Sequence, residues 1–169
     1  MQEHIFLIGF MGAGKTTVSR KLGECSGAEV LDTDQMLVEQ EGKTISRIFE
    51  EDGEAYFRDR ETELLRTLQG RKPAVISCGG GVPLQAENGL LMKQCGKVIW
   101  LDATPETIYE RVKNSTERPL LNGNMNVPYI RKLMESRREA YASCASHVIE
   151  TDGRNFAEIV EEILSLEKK

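Results

Sequence analysis

The segment that most constrains this chain is the glycine-rich stretch at residues 9–16, which matches the phosphate-binding pattern G-x4-G-K-[ST]. Glycines let the backbone curl so that successive N–H groups face an anion, and the N-terminus of a following helix adds positive partial charge. The pattern predicts that Lys15 contacts the β- and γ-phosphates of a nucleotide and that Thr16 places a hydroxyl on Mg²⁺. The alternative is a glycine-rich turn with a stray lysine.

The residues on either side of this loop favour the phosphate-binding interpretation, because they predict the strand and the helix that such a loop needs. Residues 5–8 form an apolar run typical of a buried strand, and residues 17–25 have helical periodicity. We expect Val18, Leu22 and Cys25 to lie on the inward face of that helix.

Apolar runs alternate with amphipathic helical patterns along all 169 residues. This alternation is typical of a parallel β-sheet covered by helices on both faces. We therefore predict a three-layer α/β fold and a single domain, residues 1–169. The further predicted strands are residues 30–31, 74–77, 98–101 and 147–149.

Composition narrows the class of partner. The net charge is −5, from 22 basic and 27 acidic residues, so we expect no binding to nucleic acid or to a membrane surface. The four cysteines include no C-x-x-C pair and there are two histidines, so structural zinc and disulfides are not expected. No apolar run reaches membrane-spanning length, and we expect a cytoplasmic protein.

Two carboxylates follow the second predicted strand, in the sequence Asp32-Thr33-Asp34. Open α/β sheets bind ligands at the carboxyl ends of their strands. We therefore expect one carboxylate to act on magnesium, directly or through water, and the other on a substrate hydroxyl. The alternative is that Asp34 or Thr33 only caps the following helix.

A helical pattern covers residues 44–68, with a break near residues 52–53. Arg58 and Glu61 lie one turn apart on its second segment, so the carboxylate can hold the guanidinium in place. A solvated ion pair that contributes little stability is the alternative.

Three consecutive glycines, Gly79, Gly80 and Gly81, follow the third predicted strand. Because one or two glycines suffice for a turn, the triplet predicts a place where a ligand approaches bare backbone. The N–H groups there can bind an anion or a hydroxyl.

Residues 114–126 contain four asparagines, little periodicity and Arg118. This composition is typical of a lid that closes over phosphates and excludes water, and we place such a lid at about residues 112–126. A plain surface loop is the alternative.

The next helical pattern carries two adjacent arginines. Arg137 falls on the apolar stripe, where a guanidinium must find an anion or line a wet cleft, whereas Arg138 falls off that stripe. Arg137 is therefore the better ligand candidate, and with Arg58 it can hold a carboxylate in forked geometry.

These features together predict phosphoryl transfer to a small acidic alcohol. Lys15, Mg²⁺ and Arg118 would neutralise charge on the migrating group, while Asp34 orients or deprotonates the acceptor hydroxyl.

Over nearly its whole length the chain resembles the shikimate kinase family. The motifs that carry the resemblance are Gly9-x4-Gly14-Lys15-Thr16, Leu31-Asp32-Thr33-Asp34, Phe57-Arg58-x2-Glu61, Ser77-x-Gly79-Gly80-Gly81, Arg118-Pro119-Leu120-Leu121 and Arg137-x3-Tyr141. The resemblance implies a nucleoside-monophosphate-kinase type of fold, with a five-stranded parallel sheet of order 2-3-1-4-5. It also implies ATP-dependent phosphorylation of the shikimate 3-hydroxyl, on the pathway to chorismate and the aromatic amino acids.

The resemblance also implies roles for individual residues. The substrate-binding region would be at about residues 33–61, with Asp34 as the candidate base, and further residues of the substrate side would lie later in the chain. The residues on the substrate side are Asp34, Arg58, Gly80 and Arg137, with Glu61 supporting Arg58 and with Gly79 and Gly81 completing the triplet. Those on the nucleotide side are Gly12, Ala13, Gly14, Lys15, Thr16, Thr17, Arg111, Arg118 and Arg154, with magnesium on Thr16 and, through water, on Asp32.

Two positions depart from the family pattern and bear on loop shape and adenine contact. Pro83 stands where family members usually carry an aliphatic residue, and Gly153-Arg154 offers one arginine where some relatives have two. A gluconate kinase and a non-catalytic nucleotide switch are the competing functions. We expect a monomer with ATP and shikimate as its ligands.

Overall fold

The computed structural model describes residues 1–114 and 126–169, and in this part of the chain strands alternate with helices. The strands are β1 (His4–Ile8), β2 (Glu29–Asp32), β3 (Ala74–Ser77), β4 (Gly96–Asp102) and β5 (His147–Glu150). The α-helices are α1 (Lys15–Ser26), α2 (Thr33–Glu41), α3 (Ile45–Asp52), α4 (Glu54–Leu68), α5 (Ala86–Cys95), α6 (Pro105–Val112), α7 (Val127–Cys144) and α8 (Phe156–Glu167). A short 3₁₀ helix covers Val82–Leu84.

The five described strands form one parallel sheet of order β2-β3-β1-β4-β5. This order confirms the predicted α/β class and topology. Because β3 lies between β1 and β2, Ser77 is in register with Leu7 on one side and with Asp32 on the other. The carboxyl ends of these three strands, and the loops that follow them, therefore lie side by side.

The hydrophobic interior has two parts. The larger surrounds the central strand β1, whose five residues are all buried. A smaller cluster of Leu37, Ile48, Phe57 and Leu64 joins α2, α3 and α4. Each buried side chain of this size contributes about 1.5–3 kcal/mol, so these three helices are held together by a core of their own.

The prediction that Cys25 lies on the inward face of its helix is wrong, because this side chain is exposed. The buried face of α1 passes through Val18, Ser19, Leu22 and Gly23. Helical geometry continues that stripe at Ser26, one turn beyond Leu22, and so turns Cys25 towards solvent.

No helix among the described residues is both long and apolar enough to cross a membrane. The four cysteines, all of which are described, are free thiols.

Candidate active site

A cavity of about 870 Å³ opens at the carboxyl edge of β1, β2 and β3, within the range of about 300–1,000 Å³ usual for ligand pockets. The fold brings most of the predicted site residues together here. Those that line the cavity are Gly12, Gly14, Lys15, Thr16, Thr17, Asp32, Asp34, Arg58, Glu61, Gly79, Gly80, Gly81, Arg111 and Arg137. Ala13 and Arg154 are not part of the lining, and Arg118 lies outside the described residues.

The loop after β1 needs glycine at Gly12 and Gly14 for two reasons. Their φ angles are +80° and +102°, in the region that favours glycine. A methyl group would also lie 2.8 Å from Val112 Cγ1 at the first position and 2.8 Å from Phe156 Cε1 at the second. The backbone is therefore packed closely against α6 and α8, and it carries no side chain that would block an anion.

Lys15 is the first residue of α1, and its ammonium group lies over the loop. Its Nζ donates to the carbonyl oxygen of Gly9 at 2.5 Å and to that of Phe10 at 3.4 Å. The positive side chain and the N-terminus of α1 thus lie at the same end of the cavity, an arrangement that favours phosphate binding.

Asp32 caps the helix that follows β2, because its Oδ1 accepts from the backbone N–H of Gln35 at 3.1 Å. The alternative that Asp34 or Thr33 serves as the cap is wrong, because α2 already begins at Thr33. Thr33 instead accepts the Gly79 N–H at 2.8 Å, which ties the start of α2 to the glycine triplet. Sequence analysis did not find this contact, since it joins residues far apart in the chain.

Arg58 and Glu61 form a buried ion pair rather than a solvated one. Arg58 Nη1 lies 2.7 Å from Glu61 Oε1, and the two residues are 9% and 1% exposed. Burial raises the pKa of Glu61 to about 7, against the opposing effect of the Arg58 charge. Among the described residues, Glu61 Oε2 has no hydrogen-bond partner, so this carboxyl group is held by one oxygen.

Two aromatic rings form part of the wall around Arg58. The guanidinium carbon lies 5.4 Å from the ring centroid of Phe57 and 5.9 Å from that of Phe49, and both rings line the cavity. Aromatic faces attract the cation and restrict its movement. Helical periodicity alone does not distinguish an aromatic ring that packs in the core from one that also lines a site.

Each glycine of the triplet leaves room for a charged side chain. A methyl group would lie 2.5 Å from Asp34 Oδ1 at Gly79, 3.3 Å from Arg137 Nη1 at Gly80 and 2.0 Å from Arg58 Nη1 at Gly81. None of the three has a positive φ, so space is what requires glycine here. The triplet is where the acidic and basic side chains of the site meet.

Arg137 faces the cavity from α7 and is 5% exposed, whereas Arg138 is exposed and reaches Asp102. The prediction that Arg137 lies on the inward stripe of the helix and Arg138 off it is confirmed, and the role of Arg137 as a ligand stays a prediction. Tyr141, one turn further along α7, donates its hydroxyl to the Gly80 carbonyl oxygen at 2.7 Å. The glycine triplet is therefore tied to α7 as well as to α2.

Arg111 contacts the phosphate-binding loop, whereas the contacts of Arg154 are with β5 and α8. Arg111 Nη1 donates to the Gly12 carbonyl oxygen at 2.9 Å, and its guanidinium carbon lies 5.6 Å from the ring centroid of Phe156. Arg154 follows β5 and pairs with Glu162 at 2.7 Å.

Comparison with known proteins identifies the family to which this arrangement belongs. A family model described as Shikimate kinase matches residues 11–167. The chain belongs to the shikimate kinase family. The shikimate kinase of Persephonella marina is 45% identical over 96% of this chain and 97% of its own length.

Solved structures of the shikimate kinase family have the same fold. One described as shikimate kinase from Acinetobacter baumannii in complex with shikimate has a TM-score of 0.92 at 39% identity, over 98% of this chain and 93% of that one. A gluconokinase from Sinorhizobium meliloti has a TM-score of 0.60 at 16% identity, over 97% and 90%. At this identity the comparison shows that the two proteins share a fold, and it does not support the gluconate kinase alternative as a function. As a member of the shikimate kinase family, the chain is a phosphotransferase that uses ATP.

Proposed function

We propose that this protein transfers the γ-phosphoryl group of ATP to the 3-hydroxyl of shikimate, giving shikimate 3-phosphate and ADP. The observation that carries the proposal is that the buried arginines Arg58 and Arg137 face the same cavity as the phosphate-binding loop. Their guanidinium groups offer paired donors to an anion inside the cavity, and a small carboxylic acid supplies one.

On the acceptor side, Arg58 and Arg137 bind the carboxylate of the acid. A guanidinium offers paired donors that match a carboxylate, which a lysine does not. Asp34 lines the same cavity as these arginines and the phosphate-binding loop, and it orients or deprotonates the attacking hydroxyl. Glu61 holds Arg58 in place, and the N–H groups of Gly80 and Gly81 contact the ring hydroxyls, since that of Gly79 is bonded to Thr33.

On the donor side, residues 12–17 hold the phosphates through backbone N–H groups, and Lys15 neutralises charge on them. Thr16 and Asp32 both line the cavity and offer hard oxygen atoms, which suit Mg²⁺ because that ion keeps several waters and takes few protein ligands. When bound, Mg²⁺ neutralises phosphate charge. Thr16 would hold it directly and Asp32 through water.

The remaining assignments extend this proposal to the rest of the chain. Arg111 and Arg154 contact the adenine side, and residues 112–126 form a lid that brings Arg118 to the migrating phosphoryl group and excludes water. Most of that lid lies outside the described residues. Three further properties stay predictions: a single kinase domain, a monomeric state and a cytoplasmic location. Light scattering on the purified protein tests the monomeric state.

An ADP-release assay tests the function. Shikimate, gluconate and no acceptor are compared at matched concentrations with ATP and Mg²⁺, and the product is identified by ³¹P and ¹H NMR. We expect turnover with shikimate only and phosphate on the 3-oxygen. Faster turnover of gluconate would favour the other kinase, and slow ATP hydrolysis that no acceptor stimulates would favour the nucleotide switch.

A further inference from the structure

A buried chain of hydrogen bonds links α4 to the turn that follows the glycine triplet. The Thr62 hydroxyl lies 2.7 Å from Asn88 Oδ1, and Asn88 Nδ2 donates to the Val82 carbonyl oxygen at 2.8 Å. Both side chains are buried, Asn88 completely. Water therefore has no access to replace either bond.

The partners at the two ends fix the orientation of the Asn88 amide. The Val82 carbonyl oxygen only accepts, so the NH₂ group must face it, and the amide oxygen must then face Thr62. The Thr62 hydroxyl has one proton and donates it to that oxygen. The chain therefore runs in one direction, from α4 through α5 to the turn.

The bridge ends next to the contact between Arg58 and the triplet. Thr62 follows Glu61 and lies one helical turn beyond Arg58, whose carbonyl oxygen is 3.3 Å from its hydroxyl. At the other end Val82 follows Gly81, against which the Arg58 guanidinium packs more closely than any side chain would allow. The Arg58 side chain therefore connects α4 directly to the backbone of the turn.

We propose that Asn88, together with Thr62, is a positioning residue for substrate recognition. The bridge sets the spacing between α4 and the glycine triplet, and so holds Arg58 where it meets the carboxylate of the acceptor. This inference rests on the proposed function in one respect, namely that Arg58 binds the carboxylate of the acceptor. Neither side chain lines the cavity, so both act through Arg58 and the turn.

Kinetics of near-isosteric variants test this role. Thr62→Val removes the donor and Asn88→Leu removes the whole bridge, while Thr62→Ser keeps the hydroxyl. Thr67→Val is the matched control, because the Thr67 hydroxyl bonds the Leu64 carbonyl oxygen within the same helix. We expect Thr62→Val and Asn88→Leu to raise the KM for shikimate by roughly tenfold, with the KM for ATP and kcat changed less than about threefold. Thr62→Ser and Thr67→Val should resemble the wild type.

A purely structural role predicts a different result. If the melting temperature falls while the KM for shikimate is unchanged, or if both KM values rise together, the inference is wrong. Asn88→Leu leaves the Val82 carbonyl oxygen buried without its partner and is the variant more at risk of misfolding. If Asn88→Leu does not fold, Thr62→Val alone tests the inference.

A second measurement does not depend on shikimate. The amides of Val82 and Leu84 donate to the carbonyl oxygens of Gly79 and Gly81 inside the turn. In the ligand-free protein, their hydrogen exchange should be at least about tenfold faster in Thr62→Val than in Thr67→Val, because the turn opens more often. Equal exchange rates would overturn the inference. If the wild type does not phosphorylate shikimate, the proposed function is wrong. The exchange rates then still test whether Asn88 and Thr62 position the turn.

Discussion

The guanidinium of Arg58 packs directly against the backbone of Gly81, where even a methyl group would lie 2.0 Å from Nη1. The two residues come from different layers of the fold, Arg58 from helix α4 and Gly81 from the loop after the third strand. Their contact aligns the ion pair of Arg58 and Glu61 with the cavity, so the glycine determines the position of a charge.

Gly81→Ala should therefore weaken recognition of the acid without straining the backbone. Gly81 has φ −92° and ψ −6°, the conformation of the third residue of a type I turn, which is compatible with most residues, alanine included. The added methyl group displaces the Arg58 guanidinium, and we expect the kcat/KM for shikimate to fall roughly tenfold or more. The KM for ATP should not change.

The double variant that combines Gly81→Ala with Arg58→Ala tests this explanation. With the guanidinium removed, the methyl group of Gly81→Ala has space, and its further effect on kcat/KM should disappear. An undiminished effect in the double variant would show that Gly81 acts on something other than Arg58.

Arg137→Ala should weaken acid binding and leave ATP affinity unchanged, because its charge faces the acceptor end of the cavity. Arg138→Ala is the matched control, since that neighbour on α7 is exposed and pairs with Asp102. Calorimetric titration with shikimate and with ADP measures both affinities. A loss confined to the nucleotide would mean that the two ends of the site are assigned the wrong way round.

Asp34→Asn should lower kcat by roughly 10²-fold or more, within the range of general-base catalysis, because the amide cannot take the proton of the acceptor hydroxyl. Asp59→Asn, an exposed change of the same kind on α4, should leave kcat unchanged. Single-turnover measurements on both variants separate chemistry from product release. An unchanged rate in Asp34→Asn removes that residue from the role of base.

Glu61→Gln should change how stability depends on pH. Burial raises the pKa of Glu61 to about 7, while in the unfolded chain it is about 4.3. Between these two pKa values the native state holds a proton that the unfolded state has lost. The contribution of this group to the free energy of unfolding is therefore fully present below about pH 4.3 and is lost as the pH rises through about 7. Glutamine is neutral throughout.

The free energy of unfolding of Glu61→Gln relative to the wild type should thus rise between about pH 4 and about pH 8, by on the order of 3 kcal/mol. Urea unfolding at several pH values measures it. A difference that is constant with pH would mean that the Arg58 charge keeps Glu61 ionised over the whole window.

Much of the fold follows from local patterns. The phosphate-binding loop is recognisable because its glycines and the helix after it depend only on neighbouring residues. Strand β4 and the capped start of α6 are likewise predicted by apolar runs and by Thr104-Pro105. Arg137 was singled out because helical periodicity places it on an apolar face.

The meeting of charges at the triplet could not be predicted in the same way. Three glycines indicate close approach, but which atoms approach depends on β3 lying between β1 and β2 and on α4 and α7 packing over its end. The role of Thr33 as an acceptor for Gly79 is set by that packing too, whereas the cap that Asp32 provides for α2 is a contact between residues three apart in the chain.

The sequence by itself determined the fold class, the phosphate-binding loop and the identity of the charged candidates, because backbone dihedral preferences and side-chain periodicity are properties of short segments. Only the tertiary structure decided that Arg58 and Glu61 form a buried pair, that the glycines of the triplet face charged groups, and that Asn88 bonds both Thr62 and Val82. Burial and contact depend on residues far apart in the chain, and no local pattern records them.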